Sequence, residues 1–133
     1  MRGLAVALLV AEPGRIREAW RALLLSTPAI GTVHEAGDAA SALTALDTHG
    51  WDIVLLDAEA LEGAAMALVD RIHARQPACQ CIVLVQNESQ AHEARLHGVT
   101  EVLIKGLPPA QLFEAVERLL PCPPRPSNER KPA

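Results

Sequence analysis

Aromatic residues are scarce in this sequence, which has two tryptophans, one phenylalanine and no tyrosine among its 133 residues. Proteins that bind single-stranded nucleic acid stack bases on aromatic side chains, so a platform of that kind is not expected. The chain also lacks a long basic run and has a net charge of −4, which argues against direct binding of DNA or RNA. No apolar stretch approaches the roughly 20 residues that a membrane-spanning helix needs. We therefore expect a cytoplasmic protein that contacts neither nucleic acid nor membrane directly.

Cysteine is also rare, and its spacing favours neither a disulfide framework nor a metal site. Cys79 and Cys81 are separated by one residue at the start of an apolar run, and Cys122 lies much later in the chain. A pair at this spacing has poor geometry for a disulfide and has no second pair with which to bind zinc. We expect these cysteines to be structural.

The apolar residues make up half of the sequence and can build a core. Five short apolar runs that are typical of strands alternate with five segments whose apolar residues have helical spacing. The predicted strands are 4–10, 32–36, 52–57, 81–85 and 101–104, and the predicted helices are 14–25, 38–49, 64–75, 89–97 and 108–120. Single helices between strands imply right-handed crossovers and a parallel sheet. We predict an α/β fold with a five-stranded parallel sheet in the order 2-1-3-4-5 and helices on both faces.

The first predicted helix has one apolar stripe. Ile16, Trp20, Leu23 and Leu24 follow the spacing i, i+4, i+7 and i+8, which places them on one face of a helix. We expect that whole stripe to pack against the sheet.

The composition divides the chain into two parts. Residues 1–120 contain every predicted strand and helix, which indicates one domain. Residues 121–133 include five prolines in thirteen residues, a composition that cannot build a core. We predict that this segment is a proline-rich tail or linker.

Charged residues follow three of the predicted strands. Glu12 comes after the first strand, Asp57 after the third and Lys105 after the fifth. Ligands of an open parallel sheet bind beyond the carboxyl ends of its strands, so these side chains are expected to share one crevice. Carboxylates there can hold Mg²⁺, and a carboxylate can attack phosphorus to form an aspartyl phosphate. The lysine and the metal would offset the charge of a transferred phosphoryl group.

Three segments of the sequence carry a family resemblance. They read LLVAEPGRIREAWRALL near the start, WDIVLLDAE in the middle and EVLIKGLPPAQLFEAV near the end. In order and spacing they resemble the response-regulator receiver domain of two-component signalling, and the resemblance covers residues 4–120. It implies the CheY-like receiver fold over the domain predicted as 1–120. It also implies a histidine kinase or a phosphotransfer protein as the partner that supplies phosphate.

The resemblance also implies a role for individual residues. By its pattern Asp57 is the phosphoacceptor, and Lys105 is the lysine that faces the phosphate. Mg²⁺ would be bound by Asp57, Glu12 and the backbone carbonyl of Glu59, since the family uses the carbonyl two residues after the acceptor.

The sequence departs from the family pattern at positions that matter for signalling. The family has two acids after the first strand, and this chain has Ala11 followed by Glu12, so we expect weakened Mg²⁺ binding. Where the family has a Ser or Thr at the end of the fourth strand, this chain has Val85. Where the family has a Tyr or Phe on the fifth strand, it has Val102. The hydroxyl and the aromatic ring that transmit phosphorylation in the family are therefore missing.

Two interpretations of the function remain open on these residues. The first is a response-regulator receiver that accepts phosphate on Asp57 and has a degenerate switch. The alternative is a pseudo-receiver, a module for protein interaction or homodimer formation that works without phosphorylation. An enzyme is not expected: Asp57-Ala58-Glu59 is similar to the nucleophile motif of haloacid-dehalogenase-like phosphatases, but that motif follows a first strand. The cognate kinase, the output partner and the presence of an effector domain stay open.

Overall fold

The fold is described by a computed structural model that covers residues 4–61, 63–99 and 101–120. The first three residues of the predicted domain and the predicted tail at 121–133 lie outside these described residues. The strands are β1 (Ala5–Val10), β2 (Ile30–Ala36), β3 (Ile53–Asp57), β4 (Gln80–Val85) and β5 (Glu101–Ile104). The helices are α1 (Arg15–Leu25), α2 (Ala39–Thr48), α3 (Ala65–Arg75), α4 (Glu88–Leu96) and α5 (Pro109–Leu119). A short 3-10 turn, Ala58–Leu61, follows β3.

The strands form one parallel sheet in the order β2-β1-β3-β4-β5, which confirms the predicted order. Val10 pairs with Leu56, Asp57 pairs with Leu84 and Val85 pairs with Ile104. The carboxyl ends of β1, β3, β4 and β5 therefore meet at one edge. Because the strand order reverses between β1 and β3, this edge has the crevice in which open α/β sheets bind ligands.

The core has one apolar layer on each face of the sheet. Leu9, Leu55 and Leu84 pack with α1 and α5 on one face. On the other face Leu56 and Val83 pack with α2, α3 and α4. Successive residues of a strand point to opposite faces, so uninterrupted apolar runs are what a sheet covered on both sides requires.

The structure corrects the prediction for one residue of α1. Leu24 is fully buried, as expected, but Ile16 is 57% exposed. Ile16 lies in the first turn of α1 and lines the cleft beyond the end of the sheet. The helical spacing was correct, but the helix begins where no strand lies beneath it to cover that side chain.

Several element boundaries also differ from those predicted. β2 begins at residue 30 and β4 at residue 80, so both are longer than the apolar runs that predicted them. Helix α4 begins one residue earlier than predicted because the side chain of Asn87 accepts a hydrogen bond from the backbone N of Gln90 at 2.9 Å. Asp38 caps α2, because its Oδ1 accepts a hydrogen bond from the backbone N of Ser41 at 2.8 Å. Such caps satisfy backbone donors that a helix leaves free at its start.

Candidate functional site

Asp57 is the last residue of β3 and one of the few buried polar side chains of the described residues, with 7% of its surface exposed. Its Oδ1 atom accepts a hydrogen bond from the backbone N of Glu59 at 3.1 Å. The same oxygen lies 2.9 Å from Nζ of Lys105. Among the described residues, both groups that donate to the Asp57 carboxylate contact Oδ1, and no protein donor contacts Oδ2. The carboxylate is therefore held by one oxygen, while Asp57 lines an open cleft.

Lys105 comes directly after β5 and reaches across the end of β4 to Asp57. Its backbone N donates to the carbonyl of Val85 at 2.8 Å, which fixes the start of this loop against β4. Gly106 follows with a φ of 94°, a conformation that glycine adopts without strain. Partial burial lowers the pKa of the Lys105 ammonium, but hydrogen bonds and charge from Glu59 and Asp57 outweigh that effect, so the pKa lies above its ordinary value. Lys105 is thus a fixed cation at the site.

The side chain of Glu59 is part of the same site, which sequence reasoning missed by assigning only its backbone carbonyl. Glu59 Oε1 lies 2.6 Å from Lys105 Nζ, and Oε2 accepts a hydrogen bond from Nε2 of Gln86 at 2.9 Å. The hydrogen bond and the charge of Lys105 hold the pKa of the Glu59 carboxyl below its ordinary value. The available signal in the sequence was an acid two residues after Asp57 together with a lysine directly after another predicted strand.

The structure places the predicted residues around one cleft of about 350 Å³. Glu12, Asp57 and Lys105 all line it, as predicted from the ends of three strands, and Glu59 lines it as well. Glu12 is exposed and also lines a neighbouring depression next to Asp38. The cleft therefore combines carboxylates from the loop after β1, the end of β3 and the turn after β3 with the lysine that follows β5.

The positions that depart from the family pattern lie in the core. Ala11 is 2% exposed and Val85 is 1% exposed. Val102 is partly buried and packs in the same apolar layer as Val85. At these positions the chain has apolar side chains without hydrogen-bond donors or charge.

Arg17 is a second residue that sequence reasoning missed. Its Nη1 donates to the carbonyl of Ala11 at 3.3 Å, and its Nη2 lies 3.6 Å from Oε1 of Glu35. Arg17 also lines the cleft. A cation therefore stands next to the position at which the family has its first acid.

The fit of a metal ion follows from the oxygen atoms that the cleft offers. Over the described ranges, no group of three or more His, Cys, Asp and Glu side chains is placed to bind a metal. The predicted set of Asp57, Glu12 and the Glu59 carbonyl consists of oxygen atoms, which Mg²⁺ prefers, but includes only two carboxylates. These ligand atoms are of the type that Mg²⁺ prefers, but the cleft offers few of them.

Comparison with known proteins agrees with this architecture. The family model of the response regulator receiver domain matches residues 7–117, and the chain belongs to that family. It is a receiver domain of two-component response regulators, and domains of this family are signalling modules. A search of curated proteins gave no match.

Solved structures of receivers superimpose well on this chain. A two-component response regulator of the LuxR family from Aurantimonas sp. SI85-9A1 is 26% identical, with a TM-score of 0.78, covering 89% of this chain and 86% of that one. A CheY-like receiver domain protein from Methanospirillum hungatei JF-1 is 18% identical, with a TM-score of 0.78 and coverage of 89% and 94%. The receiver domain of sensor histidine kinase PA1611 from Pseudomonas aeruginosa PAO1, solved with a magnesium ion in its active site cleft, is 22% identical, with a TM-score of 0.72 and coverage of 89% and 98%. The last two show the fold alone.

None of the helices in the described part of the chain is both long enough and apolar enough to cross a membrane.

Proposed function

We propose that this chain is a phosphoryl-accepting receiver in a cytoplasmic phosphorelay, with Asp57 as the acceptor. A histidine kinase or a phosphotransfer protein is the donor. The observation that carries the proposal is the position of the Asp57 side chain. It is buried, and its Oδ1 contacts Lys105 Nζ and accepts a hydrogen bond from the backbone N of Glu59. A carboxylate held in this way has a second oxygen to which no described residue donates, and that oxygen is available for attack on phosphorus.

The proposed step is a displacement at phosphorus. Oδ2 of Asp57 forms a bond to the phosphorus atom, and the bond between phosphorus and the imidazole nitrogen of a phosphohistidine breaks. The imidazole leaves with that electron pair, and Asp57 becomes an acyl phosphate. Lys105, 2.9 Å from Asp57 Oδ1, stabilises the negative charge on the oxygens of the transferred group.

Mg²⁺ bound through Glu12, Asp57 and the Glu59 carbonyl would add positive charge next to the transferred group. The absence of an acid at Ala11 supports weak binding of this ion, because each carboxylate near a cation contributes an attraction of roughly 1–4 kcal/mol.

Incubation of the protein with acetyl phosphate and Mg²⁺, followed by intact-mass measurement, tests the proposal. We expect a gain equal to one phosphoryl group in the native sequence and none in Asp57→Asn. Asp52→Asn is a useful control because Asp52 stands at the other end of β3, where its Oδ2 accepts from the backbone N of Val6. A mass that never changes, or a gain that persists in Asp57→Asn, contradicts the proposal.

A second candidate is a pseudo-receiver that binds a partner or a second copy of the chain without phosphorylation. It is favoured by the apolar side chains of Ala11, Val85 and Val102 where the family has its acid, hydroxyl and aromatic ring. In that case Asp57→Asn keeps partner binding, cellular activity and the oligomeric state. Loss of activity in this variant would count against the second candidate.

A further inference from the structure

The carboxylate of Glu59 occupies two side-chain donors at the carboxyl edge of the sheet. It contacts Lys105 Nζ at 2.6 Å through one oxygen and Gln86 Nε2 at 2.9 Å through the other. Lys105 directly follows the end of β5, and Gln86 directly follows the end of β4. Because Glu59 lies in the turn after β3, its side chain connects this turn to the loops that follow β4 and β5.

The backbone of Gln86 is itself held in place. The backbone N of Gln86 donates to Oε1 of Gln90 at 2.8 Å, which ties the residue to the first turn of α4. Val85, the residue before it, has no side-chain donor. Lys105 and Gln86 are therefore side-chain donors that could serve phosphoryl oxygens here, and both are paired with one carboxylate.

A phosphoryl group carries anionic oxygens that seek the same kind of donor as a carboxylate does. A phosphoryl group on Asp57 would bring further anionic oxygens to an ammonium that Asp57 and Glu59 already share, and like charges at these distances repel one another. The Glu59 side chain is 56% exposed, so it can rotate into solvent without disrupting the core.

We propose that the Glu59 side chain is a positioning residue that competes with the phosphoryl group for Lys105 and Gln86. The cleft accepts phosphate only in molecules whose Glu59 has moved away, and phosphorylation releases the contact between the turn after β3 and the loops after β4 and β5. This inference rests on the proposed function, since it concerns the same site.

The test is a titration of the whole chain with beryllium fluoride, a phosphoryl mimic, at saturating Mg²⁺. Glu59→Gln and Glu59→Ala remove the competing anion. Glu88→Gln is the matched control, because Glu88 is an exposed acid in the first turn of α4 that lies 3.9 Å from Arg95 and makes no contact with Lys105. Binding is followed through the backbone amide of Asp57 and the side-chain amide of Gln86 by NMR.

We expect the Glu59 variants to bind beryllium fluoride about tenfold more tightly, as for a competent state populated in about one molecule in ten, and Glu88→Gln to match the native protein. The Gln86 side-chain amide should shift strongly on binding in the native protein, because it exchanges a carboxylate for the mimic. Equal or weaker binding by Glu59→Gln, or an equal gain in Glu88→Gln, overturns this inference alone. If no variant binds, the proposed function fails and the inference falls with it.

Discussion

Lys105 Nζ lies 2.9 Å from Oδ1 of Asp57, so the end of β5 is joined to the end of β3 across the intervening strand β4. The contact pairs a nearly buried carboxylate with a cation whose pKa its acidic neighbours raise. Asp57 depends on this cation both for its burial and for its proposed reaction. Loss of the lysine should therefore affect stability and phosphorylation together.

Replacing Lys105 with methionine should lower the free energy of unfolding by about 1–3 kcal/mol, because Asp57 keeps its buried charge and loses a charged donor. Chemical denaturation measures the change. Adding Asp57→Asn to this variant should recover part of the loss, since the remaining amide carries no charge. Arg95→Met removes an exposed pair with Glu88 at 3.9 Å and should change stability little. Additive effects of the Lys105 and Asp57 substitutions would contradict their coupling.

Replacing Val85 with threonine restores a hydroxyl at the end of β4. Val85 is 1% exposed, so we expect a loss of about 1–3 kcal/mol in the absence of ligand, because a hydroxyl is buried without a secured partner. With beryllium fluoride and Mg²⁺ the hydroxyl gains an anionic acceptor, and affinity should rise about tenfold.

The matched control for this substitution is Val83→Thr, because Val83 lies in the same apolar layer but two residues before the end of β4. It should show a similar loss of stability without a gain in affinity. If Val83→Thr and Val85→Thr change the affinity alike, the end of β4 does not face the phosphoryl group.

We predict that the buried Cys81 thiol lowers the free energy of unfolding as the pH becomes alkaline. Burial raises its pKa from 9.0 to about 12. Between these two values the unfolded chain releases the proton of Cys81 and the folded chain retains it, so the free energy of unfolding falls as pH rises. The contribution of this thiol to the free energy of unfolding is fully present below pH 9.0 and is lost by about pH 12.

Denaturation between pH 8 and pH 11 measures this effect, and the absence of tyrosine removes one other group that titrates there. Cys81→Ala should reduce the alkaline slope by about 1.4 kcal/mol per pH unit. An unchanged slope would show that the folded protein ionises this thiol as readily as the unfolded chain does.

The fold could be predicted from the sequence because its strands are short apolar runs between turn residues, and the order of elements leaves few parallel topologies. The placement of Glu12, Asp57 and Lys105 in one cleft followed from the same argument, since each lies at or just beyond the carboxyl end of a strand. The side chain of Glu59 could not be placed in this way. Its position depends on Gln86 and Lys105, which reach it from two other strands.

Ile16 shows the same limit in α1. Its spacing with Leu24 fits a buried stripe, but burial also requires a strand beneath the first turn of the helix. The spacing of apolar residues within one segment does not predict where the sheet ends.

The most direct test of Asp57 as phosphoacceptor is a titration with Mg²⁺ in the presence and absence of beryllium fluoride, followed by NMR at the amides of Asp57 and Lys105. We predict weak, saturable shifts with Mg²⁺ alone and large further shifts at both amides when beryllium fluoride is added. Asp57→Asn should abolish the second set of shifts. Absence of any beryllium fluoride effect in the native sequence at saturating Mg²⁺ would contradict the assignment of Asp57 as phosphoacceptor.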